Sequence, residues 1–239
     1  MARKLEGIDE TYKGDEQMKQ VIFDIETAAL VDDWNDLREV AIGCVLLRVK
    51  GDPKYYIYSP VKEASEEYSG HFEVLDIKEL GELLDGSIVI GYNICNFDWP
   101  LLLHEFRRAG ISHPNPASFR DFIDLVKMKT ATRISLNNFA KRQKLSAKTM
   151  DGIESVKKWQ QGHYMEVAEY CAHDVLITTQ LYDKIMAGEQ LAYWNYKNPC
   201  TYHPEGECFH WSCHAEYING EMWIKEDVEW SKREKATNS

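Results

Sequence analysis

The sequence predicts an α/β protein: a central mixed β-sheet with flanking helices, followed by a small Cys/His-rich C-terminal segment. Three observations carry this reading. Gln20-Val21-Ile22-Phe23-Asp24-Ile25-Glu26-Thr27 is rich in β-branched and aromatic residues, the composition of a strand. Beyond it, short apolar runs alternate with segments of helical spacing. From Asn195 onward, aromatics, cysteines and histidines crowd together without periodicity. The expected organisation is a flexible arm over 1–19, one α/β domain over 20–190 and a distinct segment over 191–239.

Each element has a local reason. Val40 to Val49 and Tyr55 to Tyr58 are apolar runs separated by Lys50-Gly51-Asp52-Pro53, turn chemistry that predicts an antiparallel hairpin. Val74, Ile77, Leu80 and Leu84 predict a helix over Glu73–Leu84, stopped by Asp85-Gly86. Ser87 to Tyr92 reads as a buried strand. A helix is expected from Trp99 to Ala109, with Pro100 in its first turn and Gly110 just past its end. Ser135 is placed to cap a short helix through Leu136, Phe139 and Ala140. Tyr164 to Met186 carries an apolar helical face through Val167, Cys171, Val175, Leu181 and Ile185.

The 239 residues are ordinary in composition, 44% hydrophobic and 28% charged, which excludes a disordered chain. The expectation from this length is one well-buried α/β domain with a small appendage. Nothing approaches the roughly 18 consecutive apolar residues of a membrane span, and no secretory leader is visible. Six cysteines are too sparse for a disulfide scaffold. A soluble, cytoplasmic protein is the expectation.

The net charge of −11 argues at first sight against a nucleic-acid partner. The charge is uneven, however. Between Lys127 and Lys158 nine basic residues face two acidic ones, a candidate phosphate-contacting stripe or simply a solvated helical surface.

The acids are the informative residues. Asp24 and Glu26 are two apart in an apolar strand, so both project from the same face. Packed together they would repel unless a cation neutralised them, although the pair alone reads equally well as solvent-facing acids at a strand end. Gly91-Tyr92-Asn93-Ile94-Cys95-Asn96-Phe97-Asp98-Trp99-Pro100 leads from a strand into a helix, and Asp98 alone reads as a capping residue. Tyr170 and Asp174, four apart on a helix, share a face; a core tyrosine bonded to a nearby acid explains them as well.

In combination, Phe-Asp-Ile-Glu-Thr, Gly-Tyr-Asn-Ile-Cys-Asn-Phe-Asp-Trp-Pro-Leu-Leu and Tyr-Cys-Ala-His-Asp resemble, in order, the three motifs of the Asp-Glu-Asp-Asp 3′–5′ exonucleases of the RNase H-like superfamily, tyrosine subclass. Ile134-Ser135-Leu136 and Lys148-Thr149-Met150-Asp151-Gly152 further resemble the proofreading domains of family B DNA polymerases. The resemblance spans about residues 20–187. It implies that Asp24, Glu26, Asp98 and Asp174 hold two Mg²⁺ or Mn²⁺ ions and that Tyr170 positions the attacking water. Thr27, Asn93, Phe97 and Lys148 would contact substrate, with Phe97, Trp99 and Tyr92 as candidates for stacking a terminal base. The histidine subclass is disfavoured because its position is Glu169 here, and His173 fits neither pattern.

The implied reaction releases nucleoside 5′-monophosphates stepwise from a free 3′ end, with single-stranded DNA favoured as substrate. An exoribonuclease of the same mechanism and a non-catalytic nucleic-acid-binding module are the alternatives. In the C-terminal segment, Cys200, His203, Cys208 and Cys213 have zinc-knuckle spacing with the histidine and second cysteine exchanged. Such ligands could complete a tetrahedral structural Zn²⁺ site; reduced thiols packed against aromatics are the plainer reading. Cys44, Cys95 and Cys171 read as core residues.

Overall fold

Residues 18–34, 36–129, 133–145, 150–194 and 215–218 are described by a computed structural model. The apolar run at the start forms β1 (Gln20–Thr27), in the middle of a six-stranded sheet. On one side, β2 (Ile42–Val49) and β3 (Tyr56–Tyr58) extend it as an antiparallel meander, and β4 (Glu73–Val74) lies parallel to β3 at the edge. On the other side, β5 (Ile88–Gly91) and β6 (Ser118–Asp121) follow in parallel. The strand order is β4-β3-β2-β1-β5-β6.

Seven helices are described: α1 (Lys62–Tyr68), α2 (Ile77–Leu84), α3 (Asp98–Arg108), α4 (Phe122–Lys129), α5 (Leu136–Arg142), α6 (Gly152–Gln160) and α7 (Tyr164–Met186). They cover both faces of the sheet, as the period of β1 requires. Val21, Phe23 and Ile25 pack with Leu80, Leu84, Leu101 and Phe106 from α2 and α3. Ile22 faces the opposite way, into a layer built from α1, α4, α5 and α7. The even-numbered positions of β1 therefore point toward α7, the face on which Asp24 and Glu26 lie.

The hairpin, the buried strand and the helix over Tyr164–Met186 match the sequence reading. Ser135 caps α5, accepting the Asn138 amide at 3.2 Å. The helix expected over Glu73–Leu84 is shorter, because Glu73 and Val74 join the sheet edge. Asp76 then starts α2 through a capping box, accepting the Lys78 and Glu79 amides at 2.8 Å while Glu79 accepts from the Asp76 amide. A final pair, β7 (Leu191–Trp194) and β8 (Ala215–Ile218), is antiparallel, with Leu191, Tyr193 and Ile218 buried in the α5–α7 core. Among the described residues, no helix is long and apolar enough to cross a membrane.

Candidate active site

Asp24 and Glu26 stand on the last half of β1, opposite Leu46 and Cys44 of β2, and the ladder slips its register immediately afterwards, between Glu26 and Thr27. Glu26 is buried, and its Oε2 accepts a hydrogen bond from the Ser155 hydroxyl at 2.6 Å. Cys171 Sγ, on α7, lies 3.5 Å from both the backbone oxygen and Oδ2 of Asp24.

The second acid arrives by a tight crossover. β5 ends at Gly91, where a Cβ would fall 2.2 Å from Ile94 Cγ2 and 3.0 Å from the Phe23 carbonyl, so only glycine fits. Asn93 follows with a left-handed φ of 69°. Asp121, at the end of β6, accepts the amides of Asn93 at 2.7 Å, Cys95 at 3.0 Å and Ile123 at 2.8 Å, which fixes the loop. Asp98 then opens α3, but its carboxylate reaches across to β1: Oδ1 accepts the Ile25 amide at 3.0 Å. The donor is the peptide between Asp24 and Glu26, so the simple capping role is replaced by a direct bond to the strand carrying the other acids. Burial and, next, the nearby Asp24 carboxylate push the Asp98 carboxyl well above the usual range.

α7 supplies the rest. Tyr170, Cys171 and Asp174 are all buried on the face toward β1, whereas Glu169 is exposed. Asp24, Glu26, Thr27, Asn93, Phe97, Asp98, Tyr170 and Asp174 line one cavity of about 910 Å³. Its rim is mixed: Trp34, 65% exposed, leans on Phe97 with ring centroids 5.4 Å apart, the exposed Leu30 and Ile153 line the same opening, and so do Arg133, Asp151 and Glu154.

The donors suit a divalent cation. Asp24, Glu26 and Cys171 each offer an atom within 4.8 Å of the others. Burial raises the Cys171 thiol and keeps it protonated, leaving the carboxylate oxygens as the hard ligands that Mg²⁺ or Mn²⁺ prefers. A cation there would also relieve the repulsion between Asp24 and Asp98. A second group, Cys95, Asp121 and Asp124, has its central carboxylate committed to three amides, and the Cys95 thiol is pushed up to about 12 by burial and, next, by Asp121.

A family model described as the RNase_H superfamily matches residues 21–186. The chain belongs to that superfamily. Its fold is also that of part of a solved family B DNA polymerase from the hyperthermophilic archaeon Pyrobaculum calidifontis, at 16% identity and a TM-score of 0.52. The match covers 71% of this chain and 24% of the polymerase chain, so this superfamily member spans about a quarter of that protein's length. Among curated proteins, no relative matches the sequence.

Several site residues of this RNase_H superfamily member lie beyond sequence reasoning. Ser155, Asp121 and Trp34 reach the site through contacts with no local signature. Arg133 lines the cavity, and among the described residues of the basic stripe it is the one that does. Lys127 and Lys158 are instead tied to Asp124 at 3.5 Å and Glu166 at 2.9 Å. Trp99 packs edge-on against Phe119 and Phe23, away from the cavity, and is not placed to stack a base. Tyr92 lines the cavity but stacks on Phe122 and donates its hydroxyl to the Ile134 carbonyl. Lys148 and the cluster of Cys200, His203, Cys208 and Cys213 lie outside the described residues.

Proposed function

We propose that this protein is a divalent-cation-dependent 3′–5′ exonuclease of the Asp-Glu-Asp-Asp class, tyrosine subclass, acting on unpaired 3′ ends and preferring DNA. The observation that carries this reading is the convergence of Asp24, Glu26, Asp98, Tyr170 and Asp174, drawn from β1, α3 and α7, on one cavity.

The roles follow from placement. Asp24, Glu26, Asp98 and Asp174 would hold two Mg²⁺ or Mn²⁺ ions. Bound there, the metals would neutralise the acids so that phosphate can approach, and would acidify water enough to give hydroxide near neutral pH. Tyr170, one helical turn before Asp174, orients the attacking water through its phenol hydroxyl, which can donate or accept without ionising. Water oxygen bonds to phosphorus, the 3′ oxygen of the shortened strand leaves and takes a proton, and a nucleoside 5′-monophosphate departs. Phe97 and Trp34 offer ring faces to the terminal base, and Arg133 offers a cation to backbone phosphate. Thr27 and Asn93 shape the wall: the Thr27 hydroxyl donates to the Ala29 carbonyl at 2.9 Å, and the Asn93 amide is held by Asp121.

The test uses 5′-labelled single-stranded DNA, duplex DNA and RNA with Mn²⁺, Mg²⁺ or EDTA. We expect one-nucleotide shortening from the 3′ end with metal, none in EDTA, and a loss of roughly a hundredfold or more in Asp24→Ala. Release that persists unchanged in Asp24→Ala would remove the metal-dependent reading, and faster cleavage of RNA would make the protein an exoribonuclease.

A further inference from the structure

Ser155 lies 129 residues from Glu26 in sequence, yet its hydroxyl is bonded to it at 2.6 Å, and the serine is fully buried. An ionised carboxylate only accepts, so the hydroxyl is the donor, and the distance is that of a charge-assisted bond. The bond occupies Oε2 and fixes the carboxylate plane from behind, while Glu26 itself lines the cavity. With no exposed surface at Ser155, solvent has no direct access from which to replace the donor.

The helix that carries this serine is docked by independent contacts. Asp151 caps α6 by accepting the Glu154 amide at 2.8 Å. Val156 and Trp159 are buried on the inner face of α6, and the Trp159 ring meets Tyr164 at 4.7 Å. Trp159 also sits against Gly43 of β2, where a Cβ would come within 3.1 Å of both the indole and the Glu26 carbonyl. The absence of a side chain at residue 43 thus lets α6 approach the β1–β2 pair closely enough for Ser155 to reach Glu26.

We propose that Ser155 is a positioning residue that orients Glu26 for metal binding, an inference resting on the metal-dependent reading above. Partners of this kind, one shell behind the ligands, change metal affinity by about 10- to 100-fold when removed. Mn²⁺ binding to the full chain, followed by calorimetry or by the free-ion paramagnetic resonance signal, reads the effect without turnover. Ser155→Ala, which favours the helix in α6, is expected to raise the Mn²⁺ dissociation constant about tenfold, and Ser155→Cys, with its weaker donor, by less. In a Glu26→Gln background, Ser155→Ala should add no further loss. An unchanged dissociation constant in Ser155→Ala and Ser155→Cys, or an equal loss with and without Glu26→Gln, would overturn the assignment while leaving the exonuclease reading intact. A wild-type protein that binds no Mn²⁺ would overturn both.

Discussion

Asp98 concentrates the electrostatics of the site. It is 3% exposed, close to the Asp24 carboxylate, and bonded to the Ile25 amide, between Asp24 and Glu26 on β1. Its folded-state carboxyl titrates above the ordinary 3.8, so between that value and its raised one the folded chain holds a proton that the unfolded chain has lost. The unfolding free energy must then fall as pH rises through this window. In EDTA, Asp98 should make the urea midpoint decline as pH rises above about 4, and Asp98→Asn should flatten that decline; a decline that Asp98→Asn leaves unchanged would contradict the assignment. Asp36, held low by its hydrogen bonds to Arg38, gives the opposite slope, but below pH 3.8, so the two effects separate. At this scale the sequence is legible where chemistry is unusual for its surroundings: acids inside apolar runs stand out. Ser155 and Asp121 do not, because a serine in a helix and an aspartate after a strand are common, and their partners are set by tertiary packing.

Among the elements, the crossover from β5 into α3 is the most constrained. Its glycine is needed for packing, since a Cβ at residue 91 would overlap Ile94, which is fully buried. Gly91→Ala is expected to cost about 1–3 kcal/mol in stability, the usual penalty of overpacking. It should also weaken Mn²⁺ binding, because the loop it displaces carries Asp98. Urea denaturation and metal titration of the same sample check both; full retention of both would show that the loop yields without consequence. The long periodic helix and the β-branched strands were readable because they repeat a pattern over many residues. α1 was not, since only Ala64 and Tyr68 are buried in seven residues, too few to establish a period. β6 and α4 abut without a loop, so strand and helix spacing merge. α6 is masked in the sequence by its charge: Lys157 and Lys158 in its last turn belong to the basic stripe, while the cap at Asp151 and the buried Ser155, Val156 and Trp159 make it a helix.

For the whole molecule, the site is a junction of distant segments: β1, the start of α3 and α7 must all be in place before the acids meet. A cation bound there would recognise only the folded chain and would stabilise it by mass action. At a hundredfold excess over its dissociation constant, Mn²⁺ should contribute about 2.7 kcal/mol, roughly 5–10 °C in melting temperature for a domain of this size. Calorimetric scans with and without Mn²⁺ test this, and an equal shift in Asp24→Ala would place the ion elsewhere.

The antiparallel pair of β7 and β8 bears on how this domain can be handled. Tyr193 rests on Phe139 with ring centroids 5.5 Å apart, and Gln143 donates to the Ala192 carbonyl at 2.8 Å, so α5 is pinned from the far side by residues beyond the family match, which stops at 186. The Ser135-Leu136-Asn137 stretch at the other end of that helix forms part of the cavity wall. A gene fragment trimmed at the homology boundary would strip a plug of three large side chains from the interior. It would leave a sticky hollow that invites aggregation, and would slacken the cavity wall from behind.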